Sequence, residues 1–435
     1  MAQGSGALPG FRDFYPEQFA ERAYVMKVWR EVAHRYAFVE YDGPPLEPLD
    51  LYTKKSGDEI VGQLYNFKDK GDRDVSLRPE MTPTLARMVA AKANALRKPV
   101  RWFSMPQLFR YERQQRGRLR EHFQLNVDII GEADVTADAE LLAVAIDIMR
   151  EFGLTHEDVR ARVSDRQMLY GILGAHGVPD ARVPEVFTVI DKIHRQPRAV
   201  TEEKMQAAGV PGESVSKLID LVSQPLKTGD VSDPNFRRYL DRLDALGVAD
   251  WVDVDLSIVR GLAYYTGIVF ELFDAKGELR AICGGGRYDK LLGSMGGSDL
   301  PALGFGMGDV VLTELLRDRG LNAAVDAPDF WVAADENLEV DVVRASAALR
   351  RAGASVEYAL RKQQLGKQKK AAQSAGAAYF VTLEEGFTQT GVIRVEELGE
   401  RVPGTEQSTL MRQLADRPST LESLLTVLRD HPGIA

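Results

Sequence analysis

Three stretches of the chain put arginine where an extended strand is expected: PQLFRYERQQRGR around Arg110, SIVRGLAYYTGIVFE around Arg260 and GGGRYDK around Arg287. A guanidinium presents a planar fork of donors that grips phosphate or carboxylate in two-point fashion, so arginines projecting from one sheet point to an anionic substrate such as a nucleotide. The alternative for each is a salt bridge within the sheet, with Glu112, Asp128 or Glu271 as partners. The run Gly284-Gly285-Gly286 admits a close approach of backbone to a ligand, or is a plain turn. No P-loop, dinucleotide fingerprint or metal-spaced His and Cys cluster is present, so an ATP site in this chain has to be built from a sheet. Two basic stripes stand out, Arg110 to Arg120 and Arg361 to Lys370, each either a phosphate-binding surface or a solvated face. The net charge of -9 does not exclude a nucleic-acid partner, because binding needs only a local basic surface.

The elements that must position these residues follow from periodicity. Apolar spacing predicts an opening helix over Glu17 to Tyr36, a helix after Pro79 and another over Ala137 to Phe152. YNFKDKGDRDVSL reads as two short strands around a Lys70-Gly71-Asp72 turn. The stretches VRWFSMPQLFRYE and HFQLNVDIIG read as adjacent antiparallel strands, with the basic Arg113 to Arg120 segment as the loop between them. Residues from about Ser164 to Ala249 are polar, Pro-punctuated and helical in pattern, an inserted module. From Val325 onward strands and helices alternate, which predicts a separate α/β domain with a largely parallel sheet.

With 435 residues, 44% of them hydrophobic, the chain is expected to form two or three domains. The one cysteine, Cys283, excludes a disulfide framework and fits a reducing compartment. The N-terminal segment has no basic stretch followed by an apolar run, and no stretch approaches the ~20 apolar residues that span a bilayer. The expectation is a cytoplasmic protein with no membrane partner.

Five segments in order, LRPEMT (Leu77 to Thr82), FRYERQQRGRLREHFQLNVDIIG (Phe109 to Gly131), RGLAYYTG (Arg260 to Gly267), GGGRYD (Gly284 to Asp289) and GFGMG (Gly304 to Gly308), resemble the histidyl-tRNA synthetase family over nearly the whole length. The resemblance implies an α+β class II core over residues 1–324, an antiparallel sheet flanked by helices and interrupted by a helical insertion at about 164–249. An α/β anticodon-binding domain would follow over 325–435. It implies a homodimer, with GPPLEP (Gly43 to Pro48) similar to the first, interface-forming motif. The implied substrates are ATP accompanied by Mg²⁺, L-histidine and tRNA(His).

Carried over by position, Arg110 matches the arginine on the ATP α-phosphate, Glu112 lies near the adenine and Arg113 belongs to the nucleotide-binding loop. Gln115 and Arg116 fall where acceptor-stem contacts are made, and Lys367, Lys369 and Lys370 are the candidates for tRNA contact in the C-terminal domain. Glu80, Thr82 and Gln124 match residues on the substrate's amino group, and Asp128 and Tyr265 match residues that read the imidazole. Tyr264 helps wall the pocket, and Arg260 bridges the histidine carboxylate and the α-phosphate, acting with Arg110 in catalysis. No resident metal is implied.

The chain departs from the family pattern twice. RGLAYY carries Ala263 where an acid is usual, and Gly308 is followed by Asp309, Val310 and Val311, so the arginine expected at Val311 on the distal phosphates is missing. Arg113 is then the candidate replacement. The second reading, from a different class, is a noncatalytic paralogue resembling the regulatory subunit of ATP phosphoribosyltransferase, a histidine sensor.

Overall fold

The computed structural model describes residues 6–53, 61–113, 115–260, 265–294, 299–323, 325–335, 337–398, 411, 414 and 419–430. Tyr264 and Ala263 lie outside the described residues. The chain divides into two compact units, Met1–Ala324 and Val325–Ala435. Among the described residues, no helix is long and apolar enough to cross a membrane.

The first unit is organised by the strand Glu121–Ile130, where polar and apolar residues alternate with the period of two that sends successive side chains to opposite faces. Leu125, Val127 and Ile129 are buried on one face, whereas Gln124, Asn126 and Asp128 stand on the other. Around it runs a sheet in the order Val39–Glu40, Val100–Ser104, Glu121–Ile130, Ala302–Gly308, Cys283–Arg287, Ile268–Asp274, Val159–Asp165, Val252–Val254, with Gln107–Phe109 paired beside the long strand. The two edge pairings are parallel and the interior ones antiparallel.

Directly opposed residues share a face, so the register decides what surrounds the polar residues of the long strand. Asp128 is opposed by Gly304, Asn126 by Gly306 and Gln124 by Gly308. Gly304 and Gly306 are in turn opposed by Gly286 and Gly284. Gly284 then faces Glu271, which faces Arg162. One face of the sheet is thus a lane of glycine bordered by polar and charged side chains.

The opposite face carries the main core. Helix Pro16–Arg35 presents Val25, Val28, Trp29 and Val32, a stripe at helical spacing, and helix Val135–Glu151 is buried on nearly every side. Asp134 caps the latter, accepting from the Thr136 amide at 2.9 Å. Each fully buried side chain of this size stabilises the fold by about 1.5–3 kcal/mol.

The same alternation separates the arginines. Arg287, two residues beyond Gly285, is on the core face, where it is ion-paired with Asp138 of helix Val135–Glu151 and donates to the Glu132 carbonyl at 3.0 Å. Of the two readings open for this arginine it takes the ion-paired one, with an acid on a helix in place of one within the sheet. Arg110 and Arg260, unlike Arg287, are not strand residues: the first follows Gln107–Phe109, and the second lies in the segment before Ile268–Asp274 with a left-handed φ of 51°.

Helices from Arg166–Ala175 to Gly212–Val222 enclose a small core of their own, with Leu169, Val186, Met205 and Leu218 among its members. Helix Pro234–Ala245 does not belong to it. Phe236, Tyr239 and Leu243 insert instead into the main core. In the second unit the five-stranded sheet runs Val356–Glu357, Phe330–Ala333, Tyr379–Leu383, Val392–Glu397, Ser419–Thr420. Only the first three are mutually parallel. GVIRVEEL is reached through the short helix Phe387–Thr390 rather than a full crossover and pairs antiparallel, so the sheet is mixed rather than largely parallel.

Burial pushes the Asp138 carboxyl up to about 6 in spite of Arg287 beside it. Removing the arginine strands a buried acid. Arg287→Met is expected to lower stability by about 3–5 kcal/mol in urea unfolding, and Arg287→Met with Asp138→Leu to recover most of it. An unchanged midpoint for the single variant would contradict this role.

Candidate active site

Two adjoining cavities open over the glycine lane, one of about 270 Å³ and one of about 770 Å³. Arg110, Glu112, Arg118, Gln124 and Arg260 line both, and so mark the junction. The space exists because the lane has no Cβ atoms. A Cβ on Gly284 would overlap Nη1 of Arg260, one on Gly304 would overlap Oδ1 of Asp128, and one on Gly306 would stand 2.6 Å from Nε2 of Gln124. Real Cβ atoms essentially never come within 3.0 Å of such neighbours.

Arg260 is held by its backbone as much as by its side chain. Arg166, at the start of helix Arg166–Ala175, donates to the Val259 and Arg260 carbonyls at 2.6 and 3.2 Å, which fixes the left-handed residue. A non-glycine residue in that region costs about 1–2 kcal/mol, a strain that the surrounding contacts have to offset. The guanidinium lies 3.3 Å from Glu271 and 5.3 Å from the centre of the Tyr265 ring.

On the other side of the junction, Arg110 donates from Nε to the Pro79 carbonyl at 2.8 Å. Arg78 anchors the same LRPEMT segment. It is buried and donates to Asp42 and the Gly43 carbonyl, both at 2.7 Å, and to the Gln107 carbonyl at 3.1 Å. Glu80 and Thr82, the latter opening helix Thr82–Lys92, are thereby carried into the smaller cavity. Glu112 is buried and ion-paired with Arg118.

The smaller cavity is also lined by Asp128. Burial pushes this carboxyl up to about 7, and the Tyr288 hydroxyl donates to it. Further along the strand, burial and the nearby Arg110 cation push His122 down to about 3, so its imidazole is uncharged at neutral pH. His122 is 3.3 Å from the Gln124 side-chain oxygen, and Gln124 donates to Asn126 at 2.8 Å. His122, Asn126 and Tyr288 are site residues that sequence reasoning missed. The period of two from Gln124 and Asp128 would have found the first two.

The structure therefore brings together Glu80, Thr82, Arg110, Glu112, Gln124, Asp128, Arg260 and Tyr265. It does not bring in Arg113, which is exposed and outside both linings. Arg116 lies outside them too, 3.6 Å from Glu314, while the Gln115 side chain accepts from Arg280 at 2.5 Å. Val311 is buried in helix Asp309–Asp318 and forms apolar wall in the larger cavity. In the second unit, on helix Leu365–Ser374, Lys367 and Lys370 are exposed one turn apart. Lys369 is turned away, paired with Glu396 at 2.5 Å.

A largely antiparallel sheet thus gathers arginines and a buried carboxylate over a glycine-lined face. Residues 10–309 match the profile described as Histidyl-tRNA synthetase. A histidine–tRNA ligase of Opitutus terrae is 42% identical, covering 93% of this chain and 98% of its own length. The chloroplastic/mitochondrial histidine–tRNA ligase of Arabidopsis thaliana is 38% identical over 89% of this chain and 82% of its own. In fold, the crystal structure of histidyl-tRNA synthetase from Nostoc sp. PCC 7120 superposes with a TM-score of 0.81 at 24% identity, covering 95% of this chain and 99% of that one. The chain belongs to the histidyl-tRNA synthetase family.

Neighbouring glycines are expected to respond differently to a methyl group. Gly284→Ala meets only the end of a flexible arginine, so the protein should fold while Arg260 is displaced and adenylate formation drops at least tenfold. Gly285→Ala meets the Gly304 carbonyl and Phe305 backbone, so it should instead destabilise the sheet. Equal melting temperatures for the two variants would contradict this division.

Asp128 supplies a pH signature. Its raised value means that the folded protein holds a proton between about pH 4 and 7 that the unfolded chain releases, so stability falls as pH rises through that window. Asp128→Asn removes the dependence. The apo variant is expected to be more stable than its parent at pH 8, by up to about 4 kcal/mol, with the difference vanishing below about pH 4. Denaturant unfolding at the two pH values measures it.

Proposed function

We propose that this chain joins histidine to tRNA(His) in two steps, with MgATP as the nucleotide substrate. In the first, a histidine carboxylate oxygen attacks the α-phosphorus and the bond to the bridging oxygen breaks, giving histidyl-adenylate and pyrophosphate. In the second, a terminal ribose hydroxyl of the tRNA attacks the acyl carbon and AMP leaves. Neither step needs a covalent enzyme intermediate, so catalysis is positioning and charge neutralisation. Arg110 and Arg260 stabilise the charge developing on the α-phosphoryl oxygens, Glu112 lies by the adenine, and Glu80, Thr82 and Gln124 hold the amino group. Asp128 and Tyr265 face the imidazole, with Tyr264 as a further wall. A site whose polar groups are satisfied only by ring nitrogens leaves them unpaired with a competitor of the same size, which gives selectivity without editing.

The observation that carries this reading is one small cavity lined by both a buried carboxylate, Asp128, and two arginines, Arg110 and Arg260. Histidine-dependent ATP–pyrophosphate exchange tests it. Arg260→Ala should lower the exchange rate by ~10²–10³ in a folded protein. A near-normal rate would overturn the assignment.

We assign tRNA contact to Gln115, Arg116 and the second unit, and a homodimer contact to the Gly43 to Pro48 segment. The cytoplasm is the proposed site of action. Deleting residues from Val325 onward should leave exchange largely intact and sharply reduce transfer to tRNA. Neutralising Lys367 and Lys370 should flatten the salt dependence of tRNA binding by about one counterion's share each. Lys369 should contribute less, because Glu396 already compensates it. The paralogue reading is less well supported, since such regulatory subunits lack the terminal domain that residues after Val325 supply.

A further inference from the structure

The larger cavity continues past Arg110 and Arg260 into a region with no role so far. Among the described residues, six arginines line this cavity, Arg110, Arg118, Arg162, Arg195, Arg260 and Arg280, against two carboxylates, Glu112 and Glu271. Both carboxylates already face an arginine, Glu112 toward Arg118 and Glu271 toward Arg260. Cations converging on a walled hollow raise its potential by several kT and concentrate anions in it.

Arg280 belongs to the turn between strands Ile268–Asp274 and Cys283–Arg287. Among the described residues it makes no ion pair, and its guanidinium donates to the neutral Gln115 side chain. Burial, and after it the positive charge of Arg118, lower its pKa; the Glu112 carboxylate acts in the opposite direction, and Arg195 adds to the repulsion. Its position bears directly on the apolar wall. The Arg280 Cδ and the Val311 Cγ2 approach a single point, the Cβ position that Gly117 lacks, to 3.8 and 3.3 Å. Val311 and Arg280 thus flank one backbone position, Gly117, and both line the larger cavity.

We propose that Arg280, within electrostatic reach of Arg118, binds the distal phosphates of the nucleotide and the pyrophosphate that leaves, supplying the charge that Val311 does not. The assignment rests on ATP occupying this cavity. When the bond between the α-phosphorus and the bridging oxygen breaks, its electron pair goes to the departing pyrophosphate, and Arg280 faces the oxygens on which that charge collects. An AMP moiety ends at the α-phosphate and gains nothing from Arg280.

That asymmetry is the test. In histidine-dependent exchange with the full chain, Arg280→Ala should raise the KM for both ATP and pyrophosphate about 10–100-fold, the range of a lost charge-assisted hydrogen bond, while inhibition by AMP stays at its parental concentration. Unchanged KM values for ATP and pyrophosphate in an active variant would overturn the assignment. So would an equal weakening of all three ligands, which would mark Arg280 as a brace for the loop carrying Gln115. If the parent chain itself showed no histidine-dependent exchange, the adenylation reading would fall and this assignment with it.

Discussion

The site depends on atoms that are missing. Three glycines, Gly284, Gly304 and Gly306, lie in the middle of paired strands, where the lack of a side chain weakens a sheet, and each gives its space to a functional group. The consequence reaches through the whole first unit. The register that sets Gly304 against Asp128 also sets Leu303 and Phe305 into the core on the other face, so a slip of one residue would fill the site and empty the core together. The helices behind the sheet thereby fix the position of side chains they never touch.

Electrostatics on the two faces follows from the same geometry. On the core face an arginine is matched with a buried acid, Arg287 with Asp138, and the pair is structural. On the glycine face arginines outnumber carboxylates, while the buried Asp128 is held close to neutrality and His122 is uncharged. An unfilled surplus of positive charge is a standing cost in the empty protein, which an anionic substrate relieves on binding. Left-handed Arg260, pinned by Arg166, is a second local cost concentrated at the same place.

Much of this was legible in the sequence. Arg110, Glu112, Gln124, Asp128, Arg260 and Tyr265, which the ordered segments single out, line one cavity, and the strand pairing around Tyr65 to Leu77 follows from alternation and a turn. Arg287 stays open between anion site and ion pair in the sequence because composition alone does not say which way a strand residue faces, and that parity is set by pairing with Ala302–Gly308. The glycine run was ambiguous between turn and close approach for a similar reason. Only the neighbouring strands show that alternate glycines serve different faces. Arg280 left no motif at all, since Arg280, Gly117 and Val311 meet on one cavity wall from separate parts of the chain. In the second unit, the antiparallel turn at Val392–Glu397 was hidden because a short helix after a strand reads like the start of a crossover.

In the proposed reaction the substrate lies over the glycine lane with its two ends read by fixed groups. A crystal structure with a non-hydrolysable histidyl-adenylate analogue tests it most directly. The account predicts the imidazole within hydrogen-bond reach of Asp128, the phosphoryl mimic between Arg110 and Arg260, and the ligand in van der Waals contact with the backbone around Gly284, Gly304 and Gly306. An analogue bound with its imidazole turned away from Asp128, or seated off the glycine lane, would contradict it.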